Sequence, residues 1–169
     1  VTDYPPLSFR ALSIWLGIPV LALGLVVLQV PFRVPRQHWL ALLWLAATNM
    51  FVWHVCIILA VKTLSSGRAA ILGYTMPIFS AVIGTLVFSA VLSRRGWLGV
   101  GAAAVGVALL LWHEFTGLSG KPAGVALALV AAATWALGTQ LLRRTRIDVP
   151  TLTISFWMTV MTAIVISLL

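Results

Sequence analysis

Few residues of this chain could do chemistry, and the most informative of them lie inside long apolar runs. Asn49 and His54 are polar side chains in the middle of one such run, with Trp53 and Cys56 beside them. An ionisable side chain inside a membrane segment indicates a functional site, because a charge is costly to bury there. A neutral histidine that is hydrogen-bonded to a neighbouring helix is the alternative, and the sequence leaves both open.

Helical geometry separates these two polar residues. At about 100° per residue, Asn49, Trp53 and Cys56 share one face of a helix, whereas His54 lies about 140° from Asn49. We therefore do not expect Asn49 and His54 to bind one ligand together. One of them can line a cavity while the other contacts a neighbouring helix.

Catalytic and metal-binding patterns are missing from the sequence. The three acidic residues, Asp3, Glu114 and Asp148, all lie between apolar runs. There is no HExxH, GxSxG or CxxC motif, and the three histidines are too scattered for a metal site. A single cysteine, Cys56, excludes an intrachain disulfide. We therefore predict no enzyme activity, no cofactor and no bound metal.

The elements that must position these residues are apolar helices. Charged residues make up only 8% of the 169 residues, against about 25% in an ordinary soluble domain. Cutting the chain at its charged residues leaves six long uncharged stretches: 11–30, 39–61, 69–93, 96–113, 122–142 and 149–169. About 20 helical residues cross the hydrocarbon core of a bilayer. The sequence therefore predicts an all-α membrane protein with six transmembrane helices.

The links between the stretches are short, so consecutive helices must be antiparallel and the links alternate between the two sides of the membrane. Seven basic residues lie on one side and four on the other; the seven are Arg33, Arg36, Arg94, Arg95, Arg143, Arg144 and Arg146. By the positive-inside rule, the links at 31–38, 94–95 and 143–148 are cytoplasmic. The net charge of +8 then reflects topology, and we predict no nucleic-acid partner.

Stripes of small residues predict which helices pack closely. Gly99, Ala103 and Gly106 recur at helical spacing in the fourth stretch, and a similar stripe in the fifth includes Gly124 and Gly138 and surrounds Trp135. Such stripes let membrane helices approach closely, so we expect both to be packing faces.

Pro77 and Arg10 each carry an expectation about one helix. Pro77, in the third stretch, lacks a backbone donor and predicts a kink, a feature that can border a transporter cavity. Arg10 lies just inside the outer edge of the first helix. There we expect its side chain to extend to the membrane surface.

A weak internal repeat indicates that this sequence is part of a longer protein. Residues 3–7 and 148–152 each combine an acid and a proline ahead of an apolar run that contains Ser, Phe and Trp. If the sixth helix repeats the first, the fifth repeats a helix that would precede residue 1. We therefore expect one helix before this chain and further helices after it.

Several segments together resemble the EamA-type transporters of the drug/metabolite transporter (DMT) superfamily. They are residues 6–10, the link and helix through Pro77 at 64–78, the Arg-Arg-Gly-Trp start and Gly/Ala-rich helix at 94–111, and the helix at 124–144. The family has ten helices in two inverted five-helix repeats. In that register the chain covers helices two to seven: 1–113 would be most of the first repeat, 114–121 an outer loop, and 122–169 the start of the second repeat.

The resemblance implies a secondary transporter in the cell membrane, either inner or plasma membrane. Such a protein moves small organic metabolites, amino-acid-like or drug-like, mostly outward by alternating access. The family's cavity-facing helices nominate these substrate-cavity residues: Asn49, Trp53, His54, Tyr74, Pro77, Trp135 and Gln140. The expected partners are a small-molecule substrate and the lipid bilayer, and a homodimer is compatible with the sequence.

The alternative is a non-transporting membrane scaffold or a degenerate transporter fragment. In such a protein the polar residues inside the membrane are satisfied between helices and no cavity exists. If transport is proton-driven, His54 or a residue outside this chain must carry the proton, because no carboxylate is expected within the membrane.

Overall fold

The computed structural model describes residues 5–112, 121–145 and 147–168, and every regular element within them is helical. In chain order the α-helices are α1 (Pro6–Val27), α2 (Trp39–Leu45), α3 (Val52–Val61), α4 (Ser66–Gly73), α5 (Met76–Leu86), α6 (Arg94–Trp112), α7 (Pro122–Arg144) and α8 (Thr151–Ser167). A 3-10 helix, Arg36–His38, precedes α2, and a π-helix, Ala46–Phe51, joins α2 to α3. Asp3, His113 and Glu114, and most of the predicted loop at 114–121, lie outside the described residues.

The described helices are those of a membrane protein. Five helical segments are long and apolar enough to cross a bilayer, and they are Leu7–Val27, Arg36–Val61, Ser66–Leu86, Arg94–Trp112 and Pro122–Arg144. The sixth predicted span appears as a shorter apolar helix, α8, of 17 residues. The prediction of an all-helical membrane protein is confirmed.

The first and last described helices, α1 and α8, pack antiparallel. Trp15 Nε1 donates to Ser167 Oγ over 3.0 Å near one end of the pair, and Gly24 faces Leu152 near the other. The core between them is formed by Ala11, Ile14, Ala163 and Ile166. This arrangement agrees with helices that alternate in direction along the chain.

Contacts at one end of the bundle bring three links together. Trp157 Nε1, in α8, donates to the carbonyl of Phe32 in the α1–α2 link over 2.7 Å. The Arg144 guanidinium, at the end of α7, lies 4.4 Å from the ring centroid of Phe88 in the α5–α6 link. We call this end, formed by the links at 28–35 and 87–93 and by residues 145 and 147–150, the basic end. It carries the three links that the sequence predicts to be cytoplasmic.

Helix α7 is central among the described helices, since it packs against the π-helix, α3, α4 and α5. Its buried residues are small, apart from one glutamine: Gly124, Ala128, Ala131, Ala132, Ala136, Gly138 and Gln140. A Cβ on Gly138 would lie 2.7 Å from the Cα of Asn49, which is closer than packed atoms approach. The predicted packing stripe on this helix is confirmed.

Helix α6 does not use its small residues in the same way. Its principal contacts are with α4 and α5, and most of its residues are exposed. Among the described residues, no atom outside the helix lies within 4 Å of where a Cβ would be at Gly99, Gly101 or Gly106. For the part of the chain that the structure describes, the prediction of a packing stripe on this helix is therefore wrong.

The third span is interrupted where Pro77 predicts a kink. Tyr74 and Thr75 form a turn between α4 and α5. Pro77 has no N–H to donate to the carbonyl of Gly73, so the helical hydrogen bonding cannot continue through it. Thr75 Oγ1 donates instead to the carbonyl of Leu72 over 2.6 Å. The predicted distortion is confirmed, and it takes the form of a break rather than a smooth bend.

Candidate functional site

A cavity of about 770 Å³ lies between α5, α6 and α7, and we call it the α5–α7 cavity. It begins at Tyr74 and Pro77, beside the break near the middle of the third span, and reaches Arg144 at the basic end. Trp135 and Gln140 of α7 form part of its wall. Four of the seven residues nominated from the sequence therefore line one cavity.

Hydrogen bonds join α5 and α7 at the wall of this cavity. Gln140 Nε2 donates to both the carbonyl oxygen and the Oγ of Ser80, each at 2.9 Å. Arg144 Nη1 donates to Gln140 Oε1, while its guanidinium covers the Phe88 ring. Among the described residues, Arg144 is thus held by an amide and an aromatic face rather than by a carboxylate.

Trp53 connects the α5–α7 cavity to His54. Its ring meets Trp135 at a centroid distance of 5.1 Å and His54 at 4.8 Å, both edge to face. The Nε1 atom of Trp53 is buried and has no hydrogen-bond partner in the part of the chain that the structure describes. Buried donors without an acceptor are rare in folded proteins, so the unpaired N–H of Trp53 needs an explanation other than packing.

Asn49 lies in the π-helix and is buried against α7. π-helical segments are rare and occur frequently at functional sites. Asn49 and Trp53 both face α7, at Gly138 and Trp135, whereas His54 faces α1. The two polar residues of this span therefore have different neighbours, as their angular separation predicts.

A second cavity, of about 470 Å³, lies between α1, α8 and the span that contains His54; we call it the α1–α8 cavity. Arg10 Nη2 donates to His54 Nε2 over 2.6 Å, and His54 Nδ1 lies 2.6 Å from the carbonyl oxygen of Met50. A guanidinium has no acceptor, so Nε2 must accept and the ring proton resides on Nδ1, which donates to Met50. The expectation that Arg10 extends to the membrane surface is wrong, because its side chain turns inward to this histidine.

Arg10, Ser80 and Arg144 were not nominated from the sequence. Arg144 is one of the basic residues that the topology argument uses, and its i,i+4 spacing from Gln140 on one helix was the available signal for their contact. Ser80 follows Pro77 by three residues, so the same helical face was the available signal. Among the described residues, no group of three His, Cys, Asp or Glu side chains could hold a metal ion.

The fold and these cavities define the class: a multi-pass helical membrane protein with internal polar sites. The model of the EamA-like transporter family matches residues 1–112 of the chain. The chain belongs to the EamA-like transporter family, and the resemblance found in its sequence is confirmed. No curated protein and no solved structure matches the chain.

Proposed function

We propose that this protein is a secondary transporter that moves small organic metabolites, amino-acid-like or drug-like solutes, out of the cell by alternating access. The observation that carries the proposal is the α5–α7 cavity, which runs from a broken helix near mid-span to the basic end. Interrupted helices beside a mid-membrane cavity are a recurring feature of secondary transporters. EamA family membership supports the same class of activity.

The proposed orientation places the basic end in the cytoplasm, at the inner or plasma membrane. The basis is the excess of arginines in the links at that end. In this orientation the α5–α7 cavity faces the compartment from which an exported solute is drawn. The two-repeat organisation, with 1–113 in one repeat and 122–169 in the next, belongs to the same proposal.

The lining of the α5–α7 cavity fits a solute with an apolar body and one or two polar groups. Trp135, Tyr74 and Pro77 supply flat apolar surface, while Ser80 and Gln140 supply hydrogen-bonding groups. A volume of about 770 Å³ falls in the range of about 300–1,000 Å³ that is usual for small-molecule sites. Apart from Arg143 and Arg144 at the basic end, the described lining carries no charge, which favours neutral, zwitterionic or partly apolar solutes.

Alternating access would have to change the contact between Trp53 and Trp135. This contact lies between the α5–α7 cavity and His54, which lines the α1–α8 cavity on the other side of α3. The break at Tyr74 and Thr75 gives α5 a point about which it can pivot relative to α4. Opening the aromatic contact would also give the Nε1 donor of Trp53 access to a solute or to water.

Solute exchange in proteoliposomes tests the proposal. Vesicles containing the full chain would be loaded with a panel of amino acids and aromatic metabolites. The release of each solute would be compared with its release from protein-free vesicles loaded in the same way. We expect release of at least one solute, and loss of that release in Trp135→Ala. Trp44→Ala is the matched control, since Trp44 is 63% exposed on α2 and lies away from both cavities.

Two results would contradict the proposal. If no solute of a broad panel is released by correctly inserted protein, the non-transporting scaffold becomes the better description. If Trp135→Ala and Trp44→Ala release solute equally well, transport stands but the α5–α7 cavity is not its pathway.

A further inference from the structure

Arg10 is a cation that points into the bundle from the edge of the first span. It follows Leu7, the first residue of the span, by three positions, or about 4.5 Å along a helix axis. Its guanidinium nevertheless reaches His54, a buried residue of α3. This hydrogen bond uses one of the five N–H groups of the guanidinium, and the described residues offer Arg10 no other hydrogen bond.

No described residue neutralises this cation. His54 accepts through Nε2 and donates through Nδ1, so it is a neutral ring that fixes the guanidinium without balancing its charge. Asp148 is the sole acid among the described residues and lies at the basic end, before α8 begins. Because α8 is antiparallel to α1, Asp148 is at the far end of the bundle from Arg10. Arg10 therefore has no counter-ion in the part of the chain that the structure describes, and a charge at such a position in a membrane protein indicates a functional site.

The space beside Arg10 is the α1–α8 cavity. Three hydroxyl side chains line it, but each already donates its hydrogen to a carbonyl of its own helix; they are Ser13 to Phe9, Thr159 to Ser155, and Thr162 to Met158. These oxygens can therefore accept but not donate. Ile14, Val20 and Leu21 give the rest of the wall an apolar character. The cavity thus combines one cationic donor with apolar surface and weak acceptors.

We infer that the α1–α8 cavity binds the carboxylate of a small organic acid with an apolar body, with Arg10 as the ligand for the carboxylate. A carboxylate can accept two parallel N–H bonds from a guanidinium, which suits the donors that His54 leaves unused. His54 is a positioning residue that orients the guanidinium. This site is distinct from the α5–α7 cavity and does not rest on the proposed transport function.

A titration of the full chain with phenylacetate tests this inference. The protein would be placed in phosphatidylcholine nanodiscs and binding followed by calorimetry, with phenylacetamide as the neutral compound of the same shape. We expect phenylacetate to bind and phenylacetamide to bind far more weakly. Arg10→Met should weaken phenylacetate binding by about tenfold to hundredfold, the usual effect of losing a hydrogen bond to a charged group.

Control variants separate this site from other cations. Arg95→Met removes an exposed charge at the start of α6 and should leave the affinity unchanged. Equal binding of phenylacetate and phenylacetamide would overturn the inference. So would loss of binding in Arg144→Met together with normal binding in Arg10→Met, since that result would move the carboxylate to the α5–α7 cavity.

Gly17→Leu is a second test that leaves Arg10 in place. Gly17 lines the cavity, and no described atom of another segment lies within 4 Å of where its Cβ would be, so a larger side chain has room to enter. We expect Gly17→Leu to keep the thermal unfolding midpoint and to weaken phenylacetate binding by at least about tenfold. Wild-type affinity in this variant would overturn the inference.

A phospholipid headgroup could offer the same anionic chemistry, because Val20 of the cavity wall is 69% exposed on the outside of α1. Adding phosphatidylglycerol to the nanodiscs distinguishes the two sources. Unchanged phenylacetate affinity supports a site for small acids. Loss of phenylacetate binding on adding this lipid would overturn the inference in favour of a lipid site.

Discussion

Helices α6 and α7 have similar small-residue stripes and opposite surroundings. On α7, Gly138 lies against the backbone of Asn49, and Gly124 lies against the side chains of Thr63 and Leu64 in the α3–α4 link. On α6, no described residue of another segment lies within 4 Å of where a side chain would begin at Gly99 or Gly106. A stripe of glycine and alanine therefore gives a helix the capacity for close packing, but it does not specify which partner, or whether any partner, uses that capacity.

The difference in packing between α6 and α7 also decides where polar and aromatic side chains come into contact. The nominated residues with polar or aromatic contacts lie on α7 or on elements that contact it, because close approach brings their side chains within reach. Gln140 meets Ser80 in this way, and Trp135 meets Trp53. The part of α6 that lines the α5–α7 cavity includes Val100, an apolar residue. The close-packed helix thus carries the chemistry of the candidate pathway, and α6 closes one side of it.

Gly138→Ala should produce the largest loss of stability. The new Cβ would lie 2.7 Å from the Cα and 2.8 Å from the backbone nitrogen of Asn49, and backbone atoms cannot rotate away. The helices would have to separate, at a cost of about 1–3 kcal/mol. The thermal unfolding midpoint in mild detergent measures the effect. An unchanged midpoint would show that α7 does not rely on this contact and would remove the contrast with α6.

Gln140→Leu should be the next largest change. It removes both hydrogen bonds to Ser80 and the side-chain acceptor of Arg144, while the backbone carbonyl that Arg144 also contacts remains. Loss of these partly buried bonds should cost about 1–2 kcal/mol. The same unfolding measurement applies, with Thr134→Val as control, since the Thr134 hydroxyl donates only within α7 among the described residues. Equal midpoints for the two variants would mean that the α5–α7 bridge contributes nothing to stability.

Gly84→Ala tests the same interface from α5 with a smaller perturbation. A Cβ there would lie 3.1 Å from Gln140 Nε2, and this amide can shift by a few tenths of an ångström. The crowding is partly offset by the better helix propensity of alanine, so we expect a net loss of about 0.5–1 kcal/mol. A loss as large as that in Gly138→Ala would show that Gln140 is as immovable as backbone.

Local features of the sequence predict the helices and the break at Pro77, because both follow from chemistry that acts within one segment. A span of uncharged residues must form a helix in lipid to satisfy its own backbone, and proline interrupts hydrogen bonding wherever it stands. The same reasoning predicts that Asn49 and His54 diverge. These results depend on neighbours along the chain rather than on neighbours in space.

Features that depend on a spatial partner are the ones the sequence does not predict. The inward turn of Arg10 requires His54 of another helix to accept from it. The π-helix at Ala46–Phe51 has no recognised local signature, and it lies where Gly138 lets α7 come close to Asn49. The guanidinium at the end of α7 likewise lies over the ring of Phe88 in another link, a contact that no local pattern predicts.

Gly106→Ala should give the smallest effect and the opposite sign. Nothing among the described residues crowds the new Cβ, and alanine loses less backbone entropy than glycine when a helix forms. We expect a gain of about 0.5 kcal/mol, the lower end of the usual difference, seen as a slightly raised unfolding midpoint. Gly99→Ala, about two turns earlier on the same face of α6, is the matched variant and should behave alike. A loss comparable to that of Gly138→Ala at either position would mean that a surface outside the described residues packs on α6, and the two stripes would then be equivalent after all.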